Sequence, residues 1–114
     1  MRTNFCKTFG IDHLVVLAPM AGVVTDALVA AVSNAGGLGL APLWHVNADE
    51  LRKSVRNIKR LTDKPFGVNL NMGFPSMEHL DACLEEGVEI ISLFWQAPGA
   101  FLAHAQSGGA QVIY

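Results

Sequence analysis

Two short segments carry residue types suited to holding a flat, polar ligand. The apolar run Leu14–Ala18 passes straight into Pro19-Met20-Ala21-Gly22, and Gly67-Val68-Asn69-Leu70 sets one amide in an apolar stretch. Small residues at a strand end let a planar group lie against the backbone. An asparagine offers both a donor pair and an acceptor, which complements a heterocycle edge that alternates the two. Each segment also has a plainer explanation. Pro19–Gly22 reads equally as a tight turn into a helix, and a lone Asn69 as an Asx turn. Asn69 gains weight because Met20 should lie at the same rim of the sheet, where alternating β/α folds bind ligands. Trp95-Gln96-Ala97-Pro98 closes another strand at that rim, as pocket wall or simple cover.

The elements that position these residues alternate along the chain. Leu14–Ala18 reads as a first strand, since a parallel strand covered on both faces is continuously apolar. A helix opens at Thr25-Asp26, presents Leu28, Val29 and Val32, and ends at Gly36. Leu38–Ala41 is a second strand. Asn47 and Glu50 have capping-box spacing before a helix with the stripe Leu51, Val55, Ile58 and Leu61. Its Arg52, Lys53, Arg56, Lys59 and Arg60 mostly fall off that stripe and read as a solvated face. Phe66–Leu70 is a third strand, Ser76 caps a helix over Met77–Glu86, and Glu89–Trp95 is a fourth strand. A short helix over Pro98–Gln106 and a strand over Gln111–Tyr114 follow. About four and a half βα units result, in an α/β chain without internal linker. They fit either an open doubly wound sheet or the N-terminal half of a (β/α)8 barrel, which needs about 250 residues. The terminal Val112-Ile113-Tyr114, a strand with no helix after it, favours the barrel half, with residues 1–114 as a partial domain truncated on its C-terminal side.

Composition narrows the function. With 114 residues, 51% hydrophobic, 16% charged and a net charge of −2, the chain is globular, and its charge balance gives no electrostatic case for nucleic acid or an anionic membrane. No run approaches the roughly 18 apolar residues of a membrane span, and the N-terminus does not read as a secretion signal. Cys6 and Cys83 lack metal or redox spacing, which suits a reducing, cytoplasmic setting. His13, His45, His79 and His104 are scattered without ligand spacing, so no metal site is expected. His45 would reach the rim but has no orienting partner, and reads as a loop histidine. Cys83 lines up with Met77 and Leu80 as a small core residue; Cys6 carries no signal. Asn34–Gly39 is glycine-rich but fails G-x-G-x-x-G, since Pro42 stands at the last glycine, and a helix C-cap with close packing explains it better.

Leu17–Val23, Ala31–Gly39 and Lys64–Leu70, in this order and spacing, resemble the nitronate monooxygenase (2-nitropropane dioxygenase-like) family. Glu85-Glu86-Gly87-Val88 and Ile91–Trp95 extend the resemblance over nearly the whole chain. It implies an FMN-dependent TIM barrel that oxidises alkyl nitronates with O₂, with flavin-dependent enoyl-ACP reductase as a relative. It places Ala18, Pro19, Met20 and Ala21 beneath the flavin ring and Asn69 at its polar edge. It assigns no catalytic residue here: the family's histidine and phosphate-binding segments belong to later strands. Gln96 departs from the small residue usual before that proline. Asn71-Met72-Gly73-Phe74-Pro75 has phenylalanine where tRNA-dihydrouridine synthases carry their catalytic cysteine, which separates the chain from them. The expectation is an oxidoreductase present as an incomplete chain. The rival is a catalytically silent fragment, or half of a split or self-associating barrel.

Overall fold

The sheet runs in strict chain order. A computed structural model describes residues 3–18, 20, 22–71, 73, 76–94 and 99–113. Its strands β1 (Gly39–Pro42), β2 (Phe66–Asn71), β3 (Ile90–Phe94) and β4 (Gln111–Ile113) are all parallel, with spatial order β1-β2-β3-β4. A doubly wound sheet reverses direction at a switch point. The described strands contain no reversal, which is the barrel arrangement.

Helices α2 (Asp26–Asn34), α3 (Ala48–Leu61), α4 (Met77–Glu85) and α5 (Gly99–Ser107) alternate with the strands. The predicted caps hold. Thr25, Asn47 and Ser76 accept from the backbone N–H groups of Leu28, Glu50 and His79, and Asn47 Nδ2 also reaches Glu50 Oε1 at 3.0 Å. Several boundaries shift by one residue: β1 starts at Gly39, α4 ends at Glu85, and α5 runs to Ser107.

Strand alternation divides the core in two. Ala41, Val68, Leu70, Ile91 and Leu93 pack outward against Val29, Leu51, Val55, Ile58 and Leu80 of the helices. Leu40 and Ile90 face the other way and join Leu38, Cys6 and Ile11. Cys6 belongs to α1 (Asn4–Phe9), a helix with no counterpart among the sequence expectations. Thr3 Oγ1 caps it, and left-handed Gly10 (φ 69°) ends it. Phe5 and Phe9 pack on the same cluster, and Gln111 Nε2 donates to Thr8 O at 3.1 Å, tying α1 to the start of β4. Cys6 is thus a core residue, buried where the strands begin.

Four expectations need correction. The strand Leu14–Ala18 is reduced to one parallel bridge, Val16 to Leu38, and Leu14, Val15 and Val16 are 59%, 58% and 40% exposed. The run is apolar enough for a doubly covered strand, but β1 is its only strand neighbour among the described residues. Leu28, Leu61 and Met77 are exposed. On α2 the residues buried against the core are Val29, Ala30 and Ser33, where the helix lies against Gly39. Small side chains win there because helix and strand backbones come very close.

The basic face of α3 is more than a solvated surface. Arg56 Nε and Nη2 donate to the Glu86 carboxylate at 2.7 and 2.9 Å, Arg52 Nη2 to Glu85 at 2.8 Å, and Lys59 to the Glu86 carbonyl. Three cations therefore lie on the C-terminal end of α4, where the helix dipole is negative. The Arg56 bonds hold the Glu86 carboxyl below the usual glutamate range. Because its folded-state pKa is depressed, its contribution is present above the ordinary glutamate pKa and is lost as pH falls through the lower folded value. Glu86→Gln should lower Tm modestly at pH 7 and leave it unchanged below the folded-state pKa, so that the acid limb of a Tm-against-pH curve flattens. An unchanged acid limb would remove Glu86 from that role.

Candidate functional site

Asn69 is the fourth residue of β2, two before its end. Its neighbours in register are Pro42 on β1 and Ser92 on β3. It alternates with outward-facing Val68 and Leu70, and so shares the inner face with Gly67 and Asn71. Gly67 is needed there: a Cβ would come within 2.8 Å of Leu40 Cδ2 and 2.9 Å of the Ile90 carbonyl. The inner face thus grades from an apolar base (Leu40, Ile90, α1) to a polar level at Asn69 and Ser92, nearer the strand ends.

The Asn69 side chain is 1% exposed. Nδ2 donates to Ser92 Oγ at 3.2 Å and to Ser92 O at 3.4 Å. A backbone carbonyl can only accept, so this contact fixes which end of the amide faces β3. Among the described residues, Oδ1 is then left buried with no hydrogen-bond partner. A buried, unpaired acceptor costs about 1–3 kcal/mol and needs a reason. The Asx-turn explanation fails for Asn69, whose amide is spent across the sheet. It holds instead for Asn71, whose Oδ1 accepts from Gly73 N at 2.8 Å.

Of the other predicted ring contacts, Ala18 and Met20 are exposed, Met20 at 49%; Pro19 and Ala21 lie outside the described residues. Met20 O accepts from Val23 N and Val24 N at 3.1 and 3.0 Å, so the segment turns toward α2. No hydrogen bond among the described residues joins Ala18 or Met20 to Asn69. Trp95, Gln96, Ala97 and Pro98, and the Phe74 that stands for a cysteine, also lie outside the description. Sequence reasoning missed Ser92. Its signal was present: a hydroxyl within Ile90-Ile91-Ser92-Leu93-Phe94, on the alternation that faces inward.

The histidines are placed away from this level or are otherwise engaged. His45 is exposed, its ring 5.6 Å from that of Trp44. His79 bonds Ser76 Oγ at 2.8 Å through Nδ1 and the Val46 carbonyl through Nε2, pinning the loop after β1 to the start of α4. His104 Nε2 meets Asp81 Oδ1 at 2.6 Å on the outer surface between α5 and α4. Burial pushes the Cys83 thiol up to about 12, which leaves it without a thiolate at neutral pH.

The glycine-rich stretch does packing, as its sequence suggests. Gly36 (φ 96°) ends the α2 segment, a Cβ on Gly37 would meet Val15 O at 2.8 Å, and one on Gly39 would meet Val29 O at 2.3 Å. A cleft of about 340 Å³ lined by Lys59, Thr62, Lys64, Gly87 and Glu89 opens where β2 and β3 begin. That is the opposite end from the one parallel barrels use for ligands. Among the described residues no helix is long and apolar enough to cross a membrane.

Comparison with known proteins agrees with this architecture. Against the structure of FabK from Thermotoga maritima, 98% of the chain superposes on 36% of that chain with a TM-score of 0.93 and 33% identity. The fold is accordingly the N-terminal part of a (β/α)8 barrel. A nitronate monooxygenase of Paraburkholderia phytofirmans is 47% identical over 89 residues, 78% of this chain and 23% of that protein. A Mycobacterium tuberculosis (3aS,4S,5R,7aS)-5-hydroxy-7a-methyl-1-oxo-octahydro-1H-indene-4-carboxyl-CoA dehydrogenase is 34% identical over 114 residues, 99% of this chain and 32% of that protein. The chain thus spans about a quarter to a third of the curated relatives it matches. The description "Nitronate monooxygenase" matches residues 2–106, from the helix beneath the strands through both candidate ring-binding segments and into α5. By that match the chain belongs to the nitronate monooxygenase family.

Proposed function

We propose that these residues form the ring-binding part of an FMN-dependent oxidoreductase that oxidises alkyl nitronates with O₂. The observation that carries the reading is the buried, unpaired Oδ1 of Asn69. It sits on the inner face near the strand ends, where a ring N–H would satisfy it. The fit extends to the level of the sheet. Val16 lies opposite Leu38, and Pro42 lies opposite Asn69. On this reading Ala18, Pro19, Met20 and Ala21 line one face of a ring whose edge meets Asn69.

Bound FMN would supply the electron-accepting chemistry, and the chain's own residues bind and orient it. Asn69 accepts at the polar edge. The small residues before Gly22 allow close approach. The apolar base of Leu40, Ile90 and α1 keeps water from reaching the site from below. None of the four histidines is assigned a proton-transfer role, and these 114 residues by themselves are read as catalytically silent.

A second reading, an enoyl-ACP reductase-like enzyme, is favoured by one specific observation. The relative aligned over 99% of the chain is a dehydrogenase whose name places it on a CoA thioester. The ring-binding residues serve both readings.

Titration with FMN, followed by saturation-transfer NMR so that weak binding is visible, tests the shared part. Asn69→Ala should weaken binding about tenfold, the worth of one buried hydrogen bond of about 1.4 kcal/mol. His45→Ala should stay within about twofold. Equal or reversed losses would sink the assignment of Asn69.

A further inference from the structure

We propose that Ser92 is a second ring-contacting residue, and that Asn69 and Ser92 together read an imide edge, –C(=O)–NH–, on adjacent strands. The inference rests on the flavin reading above and goes beyond it by naming the second residue and the chemical group. Ser92 Oγ accepts from Asn69 Nδ2 at 3.2 Å. One of its lone pairs is therefore occupied, and its hydroxyl proton remains to be given. Among the described residues that proton goes to no acceptor. Ser92 is 8% exposed and faces Asn69 in register, so its hydroxyl lies beside an amide whose oxygen is also unused.

The pair presents one acceptor, Asn69 Oδ1, and one donor, Ser92 O–H, on neighbouring strands about 4.8 Å apart. The complement is a ring N–H next to a ring carbonyl. The flavin pyrimidine ring carries that edge, whereas an amine or a lone carbonyl would leave one partner unmet. Buried polar positions discriminate strongly because a mismatched ligand strands a desolvated group. The same arrangement explains why a hydroxyl occupies an inward position in the otherwise apolar run of β3.

The test uses FMN and FMN methylated at N3, titrated into the 114-residue chain and followed by saturation-transfer NMR, with circular dichroism to confirm that each variant is folded. FMN is expected to bind about tenfold more tightly than the methylated form, and Asn69→Ala should abolish that preference. Ser92→Ala should weaken FMN about fivefold, and Ser92→Thr, which keeps the hydroxyl, should stay within twofold. Ser92→Ala binding FMN as tightly as the unmodified chain would overturn the role of Ser92 and leave the flavin reading standing. A preference for FMN that survives Asn69→Ala would overturn the imide pairing. Failure of FMN to bind at all would overturn the flavin reading, and this inference with it.

Discussion

Gly39→Ala is expected to destabilise the fold by more than about 3 kcal/mol, a large fraction of the 5–15 kcal/mol typical of a domain. A Cβ at this position would stand 2.3 Å from the Val29 carbonyl oxygen and 2.9 Å from Val29 Cγ1. The first of these is helix backbone, so no side-chain rotation relieves the contact and α2 must move as a body. Overpacking of this kind costs about 1–3 kcal/mol, and more where backbone must shift. The shift would also stretch the bond from Gly39 N to the buried Ser33 Oγ, now 3.1 Å, worth about another 1 kcal/mol. Gly99→Ala is the internal control. Among the described residues nothing lies within 4 Å of its Cβ position in α5, so it should be neutral or stabilise by up to about 1 kcal/mol. Urea unfolding of both variants at one protein concentration decides the matter. Equal midpoints would show that α2 does not depend on this contact.

That contact also shows what was legible in the sequence. Glycines at Gly36, Gly37 and Gly39 read as packing residues because they follow a helix and fail the phosphate-loop pattern, and the close approaches bear this out. Helix positions were legible because Thr25, Asn47 and Ser76 are side chains with an unambiguous capping chemistry. Local signals of that kind survive into the fold. The α1 plug was not legible, since a six-residue helix has too few turns to show a period, and its value lies entirely in contacts with Leu38 and Ile90 far along the chain. The pairing of Arg52 and Arg56 with Glu85 and Glu86 was hidden for the same reason, being 30 or more residues apart. At the site, Asn69 could be singled out as an amide in an apolar strand. That its oxygen is unpaired depends on Ser92, whose register against β2 no single-strand pattern contains.

The 114 residues are also expected to self-associate. The apolar Leu14, Val15, Val16 and Val23 are 40–65% exposed, with Met20 at 49% beside them. Among the described residues the strand-like pairing of this segment is with Leu38, just before β1, through Leu17 N to Leu38 O and Leu38 N to Val15 O at 2.9 and 2.8 Å. Its other edge makes no strand pairing among the described residues, and β4 pairs only with β3. Two free, parallel edges flank one sheet, and the edge near Leu14 carries apolar side chains, which is the arrangement that recruits another strand. Burying these side chains gains about 25 cal/mol per Å² removed from water, so a few hundred Å² per copy amounts to several kcal/mol. Sedimentation at tens of micromolar should therefore show a dimer or larger species with a helical far-UV spectrum. Val15→Lys is the decisive variant: its side chain is exposed, so the monomer tolerates a charge, whereas a strand docked there does not. It should shift the distribution toward monomer by an order of magnitude or more in concentration. A sharp monomer peak from the unaltered chain, with cooperative thermal unfolding, would mean that the exposed apolar run near Leu14 is stable in water and that the sheet edges need no partner.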